Sequence, residues 1–320
     1  MKKVMKILGI IMIFLVALVA VFLIYAAIKN YKALHTPLYE DNYYENFSSE
    51  GRLEKLYAGI GSYEVAYQEI KSDNKSIKNI RIWYPSEMDT YKGKYPLVMV
   101  VNASQTTAEI YKPFFKRLAS WGFIVVGNDD PQTGTGDTAS ETLDYVLKES
   151  FISDRIDIEN MGIIGYSQGG AGALAALTEH ENGKLYKTIF TGSAAYPFLA
   201  GNFGWKYTPE SINISYFMTA GTGKTDDMNV ADIGKEYGGV APLQSLVQIY
   251  DAMSDDVLKV RARSAGSEHE QMLEKTGGYM TAWLLYQLKG DEQAGSAFTG
   301  ENAEIMNNAS WQDVMKNDLE

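Results

Sequence analysis

Met161-Gly-Ile-Ile-Gly-Tyr-Ser-Gln-Gly-Gly170 passes from an apolar run to a serine flanked by glycines, and an alanine-rich stretch of helical character follows it over residues 169–178. The segment reads as a strand that turns abruptly into a helix. Within it, Gly165-Tyr166-Ser167-Gln168-Gly169 fits the pattern G-x-S-x-G, in which the two glycines keep side chains away from neighbouring backbone. Such a turn forces the serine into strained backbone geometry and pushes its hydroxyl beyond the end of the sheet. It also seats the serine at a helix N-terminus, where N–H groups and the helix dipole favour an oxyanion. Ser167 is therefore the candidate nucleophile for acyl transfer. A five-residue pattern alone is modest evidence in a chain with 29 glycines; the strand before it and the helix after it supply the required context.

Outward from this elbow, apolar runs and helical stretches alternate. Strands are predicted at residues 96–101, 123–126, 161–165, 188–191, 214–219 and 258–263. Helices are predicted at 108–121, 138–148, 169–178, 242–253, 278–288 and 302–316. Alternation of this kind means βαβ units and a parallel sheet. Ahead of it, residues 63–70 and 77–84 alternate around a turn-rich 71–76 and read as an antiparallel hairpin. The fold class is α/β, a mostly parallel central sheet flanked by helices.

An elbow serine needs a base, an acid and two oxyanion donors. His269, in Ala265-Gly-Ser-Glu-His-Glu270, follows the last predicted parallel strand and is the candidate base. His180 lies near the far end of the elbow helix, roughly 20 Å from Ser167 at 1.5 Å per residue, and reads as a helix-end residue. His35 falls in a polar connecting stretch. The acid is sought in Gly221-Thr-Gly-Lys-Thr-Asp-Asp-Met228, after strand 214–219, because no Asp or Glu occurs between Glu181 and Glu210. Asp226 leads, Asp227 follows closely, and Asp232 is a third option. Glu268 and Glu270 flank the histidine too closely in sequence for a good bond to its ring. The backbone N–H of Gln168 is one oxyanion donor. The other is sought in Asn102-Ala-Ser-Gln-Thr-Thr107, where Ser104 is the candidate, with Ala103 and Gln105 one step to either side.

The 320-residue chain, 46% hydrophobic and 22% charged, suits one large domain with a short appendage. Without cysteine, disulfides, thiolate nucleophiles and thiolate metal sites are excluded. The expected mechanism uses no cofactor and no metal. Lys2, Lys3 and Lys6 precede an uncharged apolar run over residues 7–28, which as a helix spans roughly 33 Å, enough for a bilayer's hydrocarbon core. Residues 1–30 are read as an uncleaved signal anchor with a cytoplasmic N-terminus, residues 31–56 as an extracytoplasmic stalk, and residues 57–320 as the catalytic domain. Cleavage near Ala26 and Ala27 would instead give a secreted form. The net charge is −11, and subtracting the three lysines ahead of the run leaves −14 for the rest. An acidic surface argues against nucleic acid as a partner.

The sequence resembles the dienelactone-hydrolase and chlorophyllase-like branch of the α/β-hydrolases, the branch that includes bacterial cutinase-like polyester hydrolases. The resemblance covers about residues 60–300. Besides the elbow it rests on Ile82-Trp-Tyr-Pro85, Arg117-Leu-Ala-Ser-Trp-Gly-Phe-Ile-Val-Val126 and Gly278-Tyr-Met-Thr-Ala-Trp-Leu284. It implies an α/β-hydrolase fold and a carboxylic ester hydrolase acting on a small-molecule or lipid-like ester, with Ser167 as nucleophile, His269 as base, and Gln168 and Ser104 as oxyanion donors. In cutinase-like members the acid stands two residues before an Ile-Ala-Pro-like triplet. Here the triplet is Val240-Ala-Pro242 and Gly238 holds that position, within an expanded loop over residues 222–239. Ala103 and Ser104 stand where polyester-cleaving relatives carry a glycine and an aromatic residue. The competing readings are a non-catalytic binding module of the same fold, whose mark would be loss of the serine or the histidine, both present here, and a peptidase or acyltransferase acting on envelope components, which shares the triad.

Overall fold

Alternate residues of Tyr95–Val101 are apolar on both sides, which suits a strand covered on both faces. In the computed structural model, which describes residues 2–317, Leu97, Met99 and Val101 pack into one buried layer with Leu143 and Leu174. Val98 and Val100 pack into the other with Phe114 and Trp283. This strand is β3, preceded by the hairpin β1 (Val65–Lys71) and β2 (Asn79–Pro85). It is followed by β4 (Ile124–Asn128), β5 (Ile156–Tyr166), β6 (Thr188–Gly192), β7 (Ser215–Gly221), β8 (Lys259–Ser264) and β9 (Trp311–Lys316). Among the described residues these strands form one sheet in the order β1-β2-β4-β3-β5-β6-β7-β8-β9. The stretch from β4 to β8 is parallel, while β1, β2 and β9 pair antiparallel to their neighbours.

The helices are α1 (Lys2–His35), α2 (Arg52–Ala58), α3 (Lys112–Ala119), α4 (Asp137–Lys148), α5 (Gln168–Thr178), α6 (Pro197–Asn202), α7 (Leu243–Ala252), α8 (Met272–Lys275), α9 (Gly277–Lys289) and α10 (Glu292–Gly295). Leu143 of α4, Leu174 of α5 and Leu246 of α7 cover one face, and Leu53 of α2, Phe114 of α3 and Trp283 of α9 cover the other. This is the α/β-hydrolase architecture. The loops after β3, β5, β7 and β8 all leave from the carboxyl end of the parallel sheet, the edge at which open α/β sheets build sites.

Two stretches differ from the sequence reading. Residues 302–316, predicted as a helix, end instead in strand β9, with Val260 opposite Lys316 and Ser264 opposite Trp311. Strand β8 would otherwise expose an unpaired edge, and that non-local demand overrides local spacing. Residues 31–56, read as a stalk without regular structure, contain the last turn of α1 and most of α2, whose Leu53 and Tyr57 are buried. A seven-residue helix is too short to show periodicity and depends on tertiary contacts. One such contact is the buried Arg117, which donates to the carbonyls of Tyr57, Ala58 and Gly277 and to Thr281 Oγ1.

No residue of α1 is buried, and its apolar side chains are exposed along its length. It is long and apolar enough to cross a membrane; a signal sequence has the same character. Positions 1 and 318–320 of the expected anchor and catalytic segments lie outside the described residues.

Candidate active site

Ser167 follows β5 and caps α5 with φ 56° and ψ −123°, a conformation that side chains rarely adopt. Close backbone packing holds it there. A methyl group on Gly165 would lie 2.1 Å from the Gly169 carbonyl oxygen, and one on Gly169 would lie 2.2 Å from that of Val101. Both glycines of the pattern are thus required by contact with backbone that cannot yield. The Ser167 N–H donates to Gly192 O (3.0 Å) and its carbonyl accepts from Gly170 N (3.0 Å), which ties the turn to β6 and to the first turn of α5.

The serine hydroxyl lies 2.9 Å from His269 Nε2, and His269 Nδ1 lies 2.6 Å from Asp226 Oδ1. A carboxylate only accepts, so the bond to Asp226 puts the ring proton on Nδ1 and leaves Nε2 of the neutral imidazole free to accept from the serine. Asp226 is fully buried, and its second oxygen accepts from Ser193 Oγ (2.6 Å) and Gly221 N (2.7 Å). The arrangement can take a proton from Ser167 while it attacks a carbonyl and can stabilise the imidazolium that results. Glu268 caps the turn that carries His269 through reciprocal bonds with Gln271.

Asp227 is occupied elsewhere. It pairs with Arg263 (2.7 Å) and accepts from Asn229 N and Leu243 N. Asp232 pairs with Lys235 (2.7 Å), whose ammonium, with the Gly234 N–H, holds its carboxyl below the usual range. His180 contacts Thr135 O (3.2 Å) and Asp137 (3.4 Å), and His35 contacts Glu109 (2.6 Å). None of these four reaches Ser167. The structure therefore joins Ser167, His269 and Asp226, and not the alternatives.

Proton directions sort the loop after β3. The Thr106 hydroxyl donates to Ala103 O (2.7 Å), so its contact with Tyr111 (3.0 Å) must be donated by the phenol. Tyr111 in turn accepts from Ala103 N (3.3 Å), and Gln105 N donates to Pro131 O (2.9 Å). Of the three candidate amides, Ser104 N is the one without a hydrogen-bond acceptor among the described residues, and Ser104 lines the cleft. Gln168 N opens α5 and has no intrahelical acceptor.

These groups face a cleft of about 440 Å³, walled by Leu38, Tyr39, Ala103, Tyr111, Tyr166 and Leu273. Its size is that of a small-molecule site. Tyr166 bonds Thr276 Oγ1 (2.8 Å), and burial pushes the pKa of its phenol up, so it stays neutral. Leu38, Tyr39 and Ser193 were missed by sequence reasoning. The first two lie in the stretch read as a stalk, and Ser193 reaches Asp226 only through the sheet, so nothing local marks them.

Residues 41–190 match the family model described as PET hydrolase-like. Over that stretch, a little under half of its length, the chain is similar to this family of α/β hydrolases. The match takes in β1 to β5, the elbow and the start of β6, and it ends before the loops that carry Asp226 and His269. Over 69 residues the chain is 38% identical to "Lipase 1" of Moraxella sp. (strain TA144), a match that covers 20% of this chain and 21% of that protein. The chain thus spans about a fifth of the length of that relative.

One departure from the PET hydrolase-like branch now has a physical account. Thr225 O accepts from Val240 N (2.8 Å), and Asp226 O accepts from Ala241 N (3.1 Å). The extra loop between them closes on itself and returns beside Asp226, so that Asp226 touches the Val240-Ala-Pro242 triplet although Gly238 stands two residues before it. Gly239 permits the closure: its φ is 109°, and a methyl group there would meet Asp226 O at 2.3 Å.

Proposed function

We propose that this chain cleaves carboxylic esters by an acyl-enzyme mechanism. Ser167 attacks the ester carbonyl, His269 takes the serine proton and gives it to the leaving alcohol, and Asp226 orients the ring and stabilises its charged form. The backbone N–H groups of Gln168 and Ser104 bind the oxyanion. Water, activated by His269, then releases the acyl group. The observation that carries this reading is the hydrogen-bonded series Asp226, His269, Ser167 at a serine held with positive φ beside an apolar cleft.

In the same reading residues 1–30 anchor the protein in a membrane, with Lys2, Lys3 and Lys6 on the cytoplasmic side and the catalytic domain outside. The globular unit then begins before residue 57, since α2 and Arg117 tie residues from Arg52 onward to it.

Fluorophosphonate labelling of the full-length protein in detergent tests the mechanism. A single adduct mapped to Ser167, with turnover of 4-nitrophenyl butyrate lost in both Ser167→Ala and His269→Ala, is the expected result. An adduct on another residue, or turnover retained by Ser167→Ala, would overturn it.

A further inference from the structure

The chain leaving α1 does not stand clear of the active site. The Thr107 hydroxyl donates to Leu34 O (3.1 Å), His35 Nδ1 meets Glu109 Oε2 (2.6 Å), and Leu38 N donates to Ile110 O (2.9 Å). Glu109 is itself held by Arg81 Nη2 (3.2 Å). Just beyond, Tyr39 stacks on Tyr43 with ring centroids 4.9 Å apart, and Tyr43 OH accepts from Arg117 Nε (3.0 Å). The segment is thus fixed on both sides of Leu38 and Tyr39. These two side chains form part of the wall of the cleft that holds Ser167 and His269.

The chemistry of that wall is specific. Leu38 is 49% exposed, an apolar side chain facing open space a short way from a reactive serine. Burial pushes the pKa of the Tyr39 phenol up, with the Glu274 carboxylate and the phenols of Tyr43 and Tyr111 adding to the effect, so Tyr39 presents a neutral ring. Among the described residues no Lys or Arg lines the cleft, and the acidic Glu270 does. A substrate group carrying a carboxylate or phosphate would find no counter-ion here, while an uncharged apolar group would cover Leu38, Leu273 and the tyrosine faces.

We propose that Leu38 and Tyr39 are specificity-determining residues, forming the wall against which an uncharged apolar group of the ester packs. The segment that leaves α1 is then part of the substrate site, and the preferred substrate is a neutral ester with an apolar chain or ring beside the carbonyl. Because α1 ends at His35, three residues before Leu38, the wall lies within about 11 Å of the helix end along the chain. If α1 spans a bilayer, the cleft sits by the interface where such amphiphilic esters reside.

This inference rests on the Ser167 hydrolase reading, and the test separates the two. Full-length protein in detergent is assayed for kcat/KM on 4-nitrophenyl octanoate and 4-nitrophenyl acetate, with fluorophosphonate labelling of Ser167 followed in parallel. A methylene or two in an apolar pocket discriminates between substrates by about 10- to 200-fold. Leu38→Ala and Tyr39→Ala are therefore expected to lower the octanoate-to-acetate ratio by about tenfold or more, with Tyr39→Phe, which keeps the ring, restoring it. Leu38→Trp, which fills the space, should lower the ratio as well. Both esters report on the same folded molecules, so the ratio is blind to loss of folded protein. A ratio within about twofold of wild type in all four variants, with Ser167 still labelled, would overturn the wall. Failure of the wild-type chain to label would overturn the hydrolase reading itself.

Discussion

The elbow and the segment from His35 to Ala58 border the same cleft but are held by different forces. At the elbow, Gly165 and Gly169 let backbone meet backbone at distances that exclude any side chain, and the serine is fixed by steric necessity. The segment ahead of the hairpin adds discrete polar anchors to the packing of Leu53 and Tyr57: His35 on Glu109, the Arg117 guanidinium on the carbonyls ending α2, and Glu54 bonded to Trp311 and Asn308. Steric fixation gives the precision that proton transfer needs. Polar anchors give attachment, and each can be removed singly. Changes at the first region should therefore act on turnover with little effect on stability, and changes at the second should do the reverse.

The sharpest break of that contrast is Ser167→Ala. Loss of turnover on the order of 10⁶-fold is expected, with the thermal unfolding midpoint unchanged or slightly raised, because the hydroxyl makes no core contact and the strained φ of 56° serves reactivity. A large fall in the midpoint would show that the elbow is a stability element after all. Next is the carboxylate pair. Asp226→Asn should lower turnover by on the order of 10⁴-fold, since an amide favours the wrong ring tautomer. Asp227→Asn should lower turnover by less than about tenfold, and instead weaken the fold by about 1–3 kcal/mol through the Arg263 pair. Similar turnover losses in both variants would dissolve the distinction drawn from their partners.

Those adjacent aspartates also mark where sequence reading stops. Local pattern fixed the elbow, the strand and helix order and the histidine loop, because periodicity and glycine spacing are properties of neighbouring residues. Sequence order put Asp226 only narrowly ahead of Asp227; what separates the two is that Arg263, one strand away, pairs with the second, and that Thr225 and Val240 close the intervening loop. The spacing rule of the cutinase-like members, which lands on Gly238, does not locate the acid for the same reason: an insertion preserves spatial neighbours and destroys spacing. Strand β9 and helix α2 were illegible because each exists through contacts far away in sequence, β9 with β8 and α2 with α9 and Arg117. Leu38 and Tyr39 carry no motif, and only the path of the chain brings them to the cleft.

In the second region the largest effect is expected at Arg117. It is 1% exposed, and among the described residues no carboxylate lies within ion-pair reach; its charge is satisfied by Tyr43 OH, Thr281 Oγ1 and the carbonyls of Tyr57, Ala58, Gly59 and Gly277. Arg117→Met would strand those carbonyls, for a cost on the order of 3 kcal/mol measured as a shift in urea midpoint. The fluorophosphonate labelling rate of the molecules that remain folded should stay within about tenfold of wild type. A much larger loss among folded molecules would mean that the anchors and the elbow are one mechanical unit.

The smallest effect, and one whose sign is informative, is expected at Glu54. The residue is 1% exposed, and its carboxyl accepts from Ser49 Oγ, Asn308 Nδ2 (2.6 Å) and Trp311 Nε1 (2.8 Å). Those donors favour the charged form, yet burial outweighs them and raises the pKa above its usual value, with the nearby Glu304 adding to the rise. A carboxyl whose folded pKa is raised contributes stability that is fully present below the unfolded value of 4.5 and is lost as pH climbs through the folded pKa. Relative to Glu54→Gln, which cannot titrate, the wild-type midpoint should therefore be higher at pH 4 than at pH 7. The difference between the two proteins should change by no more than about 4 °C, roughly 1 kcal/mol for a domain of this size. A change of opposite sign, with the wild type gaining on the variant as pH rises, would mean that the three donors outweigh burial. Glu54 would then be a charged anchor like Arg117, and the second region would be held by ionised groups at both of its buried contacts.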